Sequence, residues 1–161
     1  MDRRTLFAGL AVALATDAGA QAAPPGNVAE AFAAALTAHD IEAFAALFAD
    51  DYAQHQSSAA ARPPPAGLPA KQATKIFFAA RLAALPDLSV TADPVVVAGD
   101  WVAANFTYAG THTGAAYFGV PPSGRAIRFT SCDILQVRGG LVAAHWGAAD
   151  IAGLLVQLKG G

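Results

Sequence analysis

Asp133 lies in the run Phe129-Thr130-Ser131-Cys132-Asp133-Ile134-Leu135-Gln136-Val137, an apolar stretch in which a charge is costly unless it is paired or used. On a side-chain period of two it shares a face with Phe129, Ser131, Leu135 and Val137. It reads either as a second pocket carboxylate that tunes another acid or orients a histidine, or as a solvated or salt-bridged edge position. Asp150 stands where the last apolar run ends and Ile151-Ala152-Gly153-Leu154-Leu155 begins. There its carboxylate can accept the free amides of a closing helix.

Four histidines complete the titratable set in the physiological range. An imidazole at His55 could hydrogen-bond a substrate carbonyl or a carboxylate. His112, in Thr111-His112-Thr113-Gly114, suits a structural role that holds the glycine-rich turn after it, or a place beside a ligand. His145 and Trp146 are adjacent on one strand and face opposite ways, so one of them at most can line an interior; parity with Asp150 selects Trp146. Phe78, Phe106, Tyr108, Phe118 and Phe129 would serve as an aromatic lining for a ring-shaped ligand or as plain core. The histidines lack the close spacing of a metal motif. No glycine-rich phosphate loop follows a strand, since Gly114 to Gly124 lies between strands and carries two prolines. No metal, nucleotide or other cofactor is expected. Cys132, the single cysteine, reads as a small core residue, not a reactive thiol.

A chain of 161 residues with 55% hydrophobic side chains closes one sizeable core and does not divide into two domains. Charged residues make up only 14% and the formal net charge is −2, so no basic surface exists to neutralise phosphates and nucleic acid is not an expected partner. Residues 1–22 read as a cleaved signal peptide. Arg3-Arg4 precedes the apolar stretch Leu6 to Ala15, and Ala20-Gln21-Ala22 supplies small residues for cleavage. The paired arginines are like those of a twin-arginine signal, so a mature domain over 23–161 is expected outside the bacterial cytoplasm, periplasmic or secreted, with no membrane span.

The elements follow from periodicity. Asn27 to Glu30 marks a helix start, and Val28, Phe32 and Leu36 fall on one face. After His39-Asp40 a second short helix buries Ile41, Phe44, Leu47 and Phe48. The proline-rich stretch 57–69 is a loop. Lys71 to Leu85 is the longest helix, with Ile76, Phe77, Ala80 and Ala84 on one side and Phe78, Leu82 and Leu85 beside them; Pro86 ends it. β-Branched and aromatic runs then indicate strands at about 88–97, 101–113, 125–137 and 141–149, before a short closing helix. Helices followed by a meandering antiparallel sheet make an α+β fold.

That order, together with Asp51-Tyr52-Ala53-Gln54-His55, Leu85-Pro86-Asp87-Leu88, Gly110-Thr111-His112-Thr113-Gly114 with Gly119 to Arg125, and His145-Trp146 through Asp150 to Leu158, resembles the SnoaL-like polyketide cyclase (ester cyclase) family of the nuclear-transport-factor-2-like superfamily. The resemblance covers residues 27–159. It implies a cone-shaped α+β barrel, N-terminal helices packed on a strongly curved sheet, with an apolar pocket for a small-molecule ligand or substrate. It also implies homodimers formed through the outer face of the sheet. The family's general acid/base Asp falls on Asp150, and His55 falls where relatives place a polar pocket residue. The implied chemistry is a cofactor-independent intramolecular aldol condensation or a related isomerisation. A non-catalytic exported binding domain, or a hydrolase of the same superfamily, remains open.

Overall fold

A computed structural model describes residues 26–56 and 65–161. The expected signal peptide and the stretch 57–64 of the proline-rich loop lie outside them. The elements are α1 (Gly26–Thr37), α2 (Ile41–Ala46), β1 (Phe48–Gln54), α3 (Ala70–Ala84), β2 (Ser89–Ala98), β3 (Trp101–Thr111), β4 (Ala126–Arg138), β5 (Leu141–Ala149) and α4 (Ile151–Lys159). The five strands form one sheet in the order β1-β5-β4-β3-β2. β2 to β5 pair antiparallel, and β1 joins the far edge parallel to β5. The curved α+β architecture is the one expected.

β1 is the element that sequence patterning misses. Phe-Ala-Asp-Asp-Tyr-Ala-Gln has no β-branched residue and two adjacent carboxylates, so only Phe48 and Tyr52 favour a strand locally. It forms because the backbone of β5 offers a partner: the Leu47 carbonyl accepts from Val142 N at 2.8 Å and the His145 carbonyl from His55 N at 2.8 Å.

Alternation is clean in β4, where Ile127, Phe129, Ser131, Asp133, Leu135 and Val137 are buried and the residues between them are not. Cys132 therefore lies on the outer face and is exposed, against the expectation of a core position; period two decides its side, whatever the local hydropathy. On β3 the inner residues are Val102, Ala104, Phe106 and Tyr108. The concave face they form is covered by α1, α2 and α3. The rings of Phe32, Phe44, Phe48, Phe78 and Phe106 meet there, with centroids 4.5–6.4 Å apart for the pairs that include Phe32.

Local clamps set the helices on the sheet. Thr37 Oγ1 accepts from Val90 N at 2.9 Å and donates to the Val90 carbonyl at 3.2 Å, tying the end of α1 to β2. Asp40 caps α2 through the amides of Glu42 and Ala43. β5 ends opposite Ser131, which leaves the first half of β4 without that neighbour. α4 takes its place: Gln157 accepts from Arg128 N and donates to the Arg128 carbonyl at 2.7 and 2.9 Å. On α3 the buried residues are Thr74, Phe78, Arg81 and Ala84, so the helix is rotated from the face expected, and Ile76 is half exposed. Arg81, counted as polar in any hydropathy pattern, is what displaced the reading.

Candidate functional site

Six polar or charged residues are buried among those described: Thr74, Arg81, His112, Ser131, Asp133 and His145. Five of them, all but His112, gather with Tyr52, Tyr108 and Tyr117 along the inner face of the sheet. Asp133 is 2% exposed and His145 1% exposed, so both charges or dipoles must be answered from within the protein.

Ser131 precedes Asp133 on the same inner face and donates its hydroxyl to Asp133 Oδ2 at 2.7 Å. The other carboxylate oxygen, Oδ1, is 3.3 Å from His145 Nε2. That is an ion-pair distance, but the two are not aligned as a hydrogen bond, and neither has another partner among the described residues. Both atoms keep unspent hydrogen-bonding capacity. On the other side of the ring, His145 Nδ1 is 3.3 Å from the Tyr52 hydroxyl. Burial raises the pKa of that hydroxyl, with Thr74 opposing and the Asp133 charge adding to the rise.

Gly147 makes this arrangement sterically feasible. It pairs with Asp133 across β4 and β5, and a Cβ placed on it would stand 2.0 Å from Asp133 Oδ1 and 3.2 Å from Gln56 Nε2. Gly147 and Gln56 are only half-buried, so the buried pair lies one residue from solvent.

At the other end of the inner face Arg81, 3% exposed, donates from Nε to the Tyr117 hydroxyl at 2.8 Å. Its guanidinium carbon lies 4.7, 4.4 and 5.1 Å from the ring centres of Phe78, Tyr108 and Phe129. Tyr108 stacks on Phe129 at 4.9 Å and 10°, and burial pushes its phenol up to about 12. Tyr117 comes from the segment between β3 and β4. His112 ties that segment down through Ser123 Oγ at 3.2 Å and the Ala115 carbonyl at 3.0 Å.

The other sequence candidates lie elsewhere. Asp150 is exposed and caps α4, accepting from Gly153 N at 2.8 Å; of its two readings the structure displays the cap, and it does not bring this carboxylate to the interior. His55 is exposed and stacks on Trp146 at 4.4 Å and 6°. Both rings therefore lie on the outer face, where Trp101 approaches Trp146 at 5.5 Å, and Trp146 is corrected from lining to outer surface. The parity argument was anchored on Asp150, which lies beyond the strand. His145 pairs with Leu135 and Gly147 with Asp133, and a register shift between Gln136 and Val137 separates them from the turn. Phe78, Phe106, Tyr108 and Phe129 are core; Phe118 is half-buried, 6.5 Å from Phe77. His112 holds a turn away from the pair. Sequence reasoning missed Arg81, Tyr52 and the inward course of His145. The one signal for Arg81 was the spacing of Thr74, Phe78, Arg81 and Leu85 on a single helical face.

A family model described as SnoaL-like polyketide cyclase matches residues 26–158. The chain belongs to the SnoaL-like polyketide cyclase family. The SnoaL-like chain superposes on IdmH of Streptomyces antibioticus, a proposed polyketide cyclase, with a TM-score of 0.71 and 29% identity over 84% of this chain and 98% of that one. TsrD of Streptomyces laurentii gives 0.69 and 29% over 82% and 92%. AclR of Streptomyces galilaeus, a proposed hydroxylase, gives 0.70 over 84% and 80%, and at 22% identity it speaks for the fold alone. No curated protein matches the sequence. Membership carries a small-molecule-binding or cyclase role on the nuclear-transport-factor-2-like cone. No described helix of this SnoaL-like chain is long and apolar enough to cross a membrane.

Proposed function

We propose that this protein performs cofactor-independent proton transfer on an apolar carbonyl compound, with Asp133 as the base and His145 as the group that holds the carbonyl oxygen. The observation that carries the proposal is the pair of buried, unspent atoms, Asp133 Oδ1 and His145 Nε2, 3.3 Å apart. Ser131 occupies Oδ2, which leaves Oδ1 as the basic atom. Oδ1 takes a proton from the carbon next to a carbonyl, and the C–H electron pair becomes the enolate double bond. The enolate oxygen is held by the Nε2 proton of His145. In a cyclase the enolate carbon then attacks a second carbonyl of the same molecule, forming a C–C bond, and Asp133 returns its proton to the new alkoxide. In an isomerase the proton returns to another carbon. Neither course consumes a co-reactant.

The test is solvent-deuterium exchange at the central carbon of an apolar 1,3-diketone, followed by NMR. The wild-type protein should accelerate exchange, Asp133→Asn should lose that acceleration by about 10²–10⁴-fold, and Asp150→Asn should keep it. Retained exchange in Asp133→Asn, or its loss in Asp150→Asn, overturns the assignment. A probe that binds the wild-type protein without exchanging favours the non-catalytic binding domain.

The outer face supports a second copy of the chain as partner. Trp101 and Ile134 are 43 and 46% exposed; Ile134 pairs with Trp146 across β4 and β5 and the Trp101 ring lies 5.5 Å from that of Trp146, an exposed apolar surface of the kind that marks a protein interface. Light scattering should give twice the chain mass, and Ile134→Lys should reduce it to one.

A further inference from the structure

A cation and an anion are both buried on this inner face, yet they are not in contact. Among the described residues the ion pairs involve His145 with Asp133 and three surface pairs; Arg81 enters none of them. A guanidinium is always charged, and aromatic faces answer only part of its lost hydration. A carboxylate at Asp133 has the converse problem: one oxygen is held by a neutral hydroxyl and the other is free.

The residues between them form a path. Tyr108 pairs with Phe129 across β3 and β4, and Phe106 with Ser131, so the Tyr108 ring lies one inward position from Ser131 and two from Asp133. The guanidinium carbon of Arg81 is 4.4 Å from the Tyr108 ring centre. The Tyr108 side chain thus stands between Arg81 and Ser131, and Ser131 Oγ donates to Asp133 at 2.7 Å. The donor and acceptor capacities are ordered one way: Arg81 offers only protons, Asp133 accepts only protons, and the two hydroxyls between them can each accept on one side and donate on the other. Such a chain polarises in one sense, and each link strengthens the next in a low-dielectric interior.

We propose that Arg81 is a positioning residue, which through Tyr108 and Ser131 holds the Asp133 carboxylate ionised and oriented with Oδ1 free. The inference rests on the reading of Asp133 as the working base and adds how the fold keeps it one. It also accounts for a buried arginine with no carboxylate of its own, since its countercharge is Asp133 at the far end of the chain. The titratable and charged groups that face Asp133 are Tyr52 from β1, Arg81 from α3, Tyr108 from β3, His145 from β5 and, behind Arg81, Tyr117 from the segment between β3 and β4. Only Arg81 is a permanent cation, so its removal has a sign: the ionised carboxylate loses support and protonates more readily.

The experiment follows the carboxyl carbon of Asp133 by NMR as pH is varied, in labelled wild-type protein and in Arg81→Met, Arg81→Lys, Tyr108→Phe and Ser131→Ala. The midpoint should rise by about one pH unit or more in Arg81→Met, and rise less in Arg81→Lys, which keeps the charge without the planar stacking. Tyr108→Phe and Ser131→Ala should move it the same way. Leu158→Ala, a core truncation on α4, should leave it in place. An unchanged midpoint in Arg81→Met, or an equal rise in Leu158→Ala, overturns the proposal. Should Arg81→Met fail to fold, unchanged midpoints in both Tyr108→Phe and Ser131→Ala overturn it. No deuterium exchange by the wild-type protein, with the midpoints still displaced, would remove the catalytic reading and leave the charge relay standing.

Discussion

Replacing Gly147 by alanine is expected to lower turnover by about two orders of magnitude or more, although a methyl group is all that is added. The new Cβ would stand 2.0 Å from Asp133 Oδ1 and 3.0 Å from its Cγ, distances at which atoms cannot coexist. The backbone of β4 is pinned on both sides by ladder hydrogen bonds to β3 and β5, so the carboxylate must rotate. Rotation gives up either the bond from Ser131 or the approach to His145. The cost to stability should be about 1–3 kcal/mol, the ordinary range for overpacking, which leaves a folded protein to assay. The check is the deuterium-exchange rate beside a thermal unfolding curve. Adding Asp133→Ala to Gly147→Ala should recover the stability and none of the activity. Full exchange activity in folded Gly147→Ala would show that the position of Oδ1 does not matter, and the base would have to be sought elsewhere.

The largest effect on stability is expected at Phe32. It is 1% exposed, and its ring meets Phe44 from α2, Phe48 from β1, Phe78 from α3 and Phe106 from β3 at 4.8, 6.4, 5.4 and 4.5 Å between centroids. No other side chain in the aromatic cluster joins four elements to α1. Truncation to alanine removes the transfer energy of a phenyl ring and leaves a cavity whose walls come from five elements and cannot all move inward together. The expected loss is about 3–5 kcal/mol, a third or more of the stability of an ordinary domain, and roughly 10–20 °C in melting temperature. Phe32→Leu should cost much less, because most of the volume is kept. Denaturant titration of the two variants decides it. A loss under about 1.5 kcal/mol in Phe32→Ala would mean that the helices close over the gap and that α1 is not fixed by this ring.

The alternation of β4, from Ile127 to Val137, is written in the residues themselves. The amphipathic spacing of Val28, Phe32 and Leu36 is written there too, and local physics suffices for both. The α+β class, the meander of four strands and the family follow from such signals. Asp133 was legible for the same reason: a charge within an apolar alternating run is conspicuous, and period two gives its face without any tertiary information.

Three things were decided only when the chain closed on itself. β1 exists because β5 has a free edge, and no residue within Phe48–Gln54 encodes that edge. His145 turned inward and Trp146 outward because the register shift between β4 and β5 sets the parity of the last strand; Asp150 could not set it, since its position is governed by the amide of Gly153. Arg81 became an interior residue because aromatic rings from α3, β3 and β4 and the Tyr117 hydroxyl converge on it from positions up to 48 residues away in the chain. Local sequence determines what a segment prefers to be and which face it offers. Where a charge can be buried depends on partners brought from elsewhere, and that was settled by tertiary structure alone.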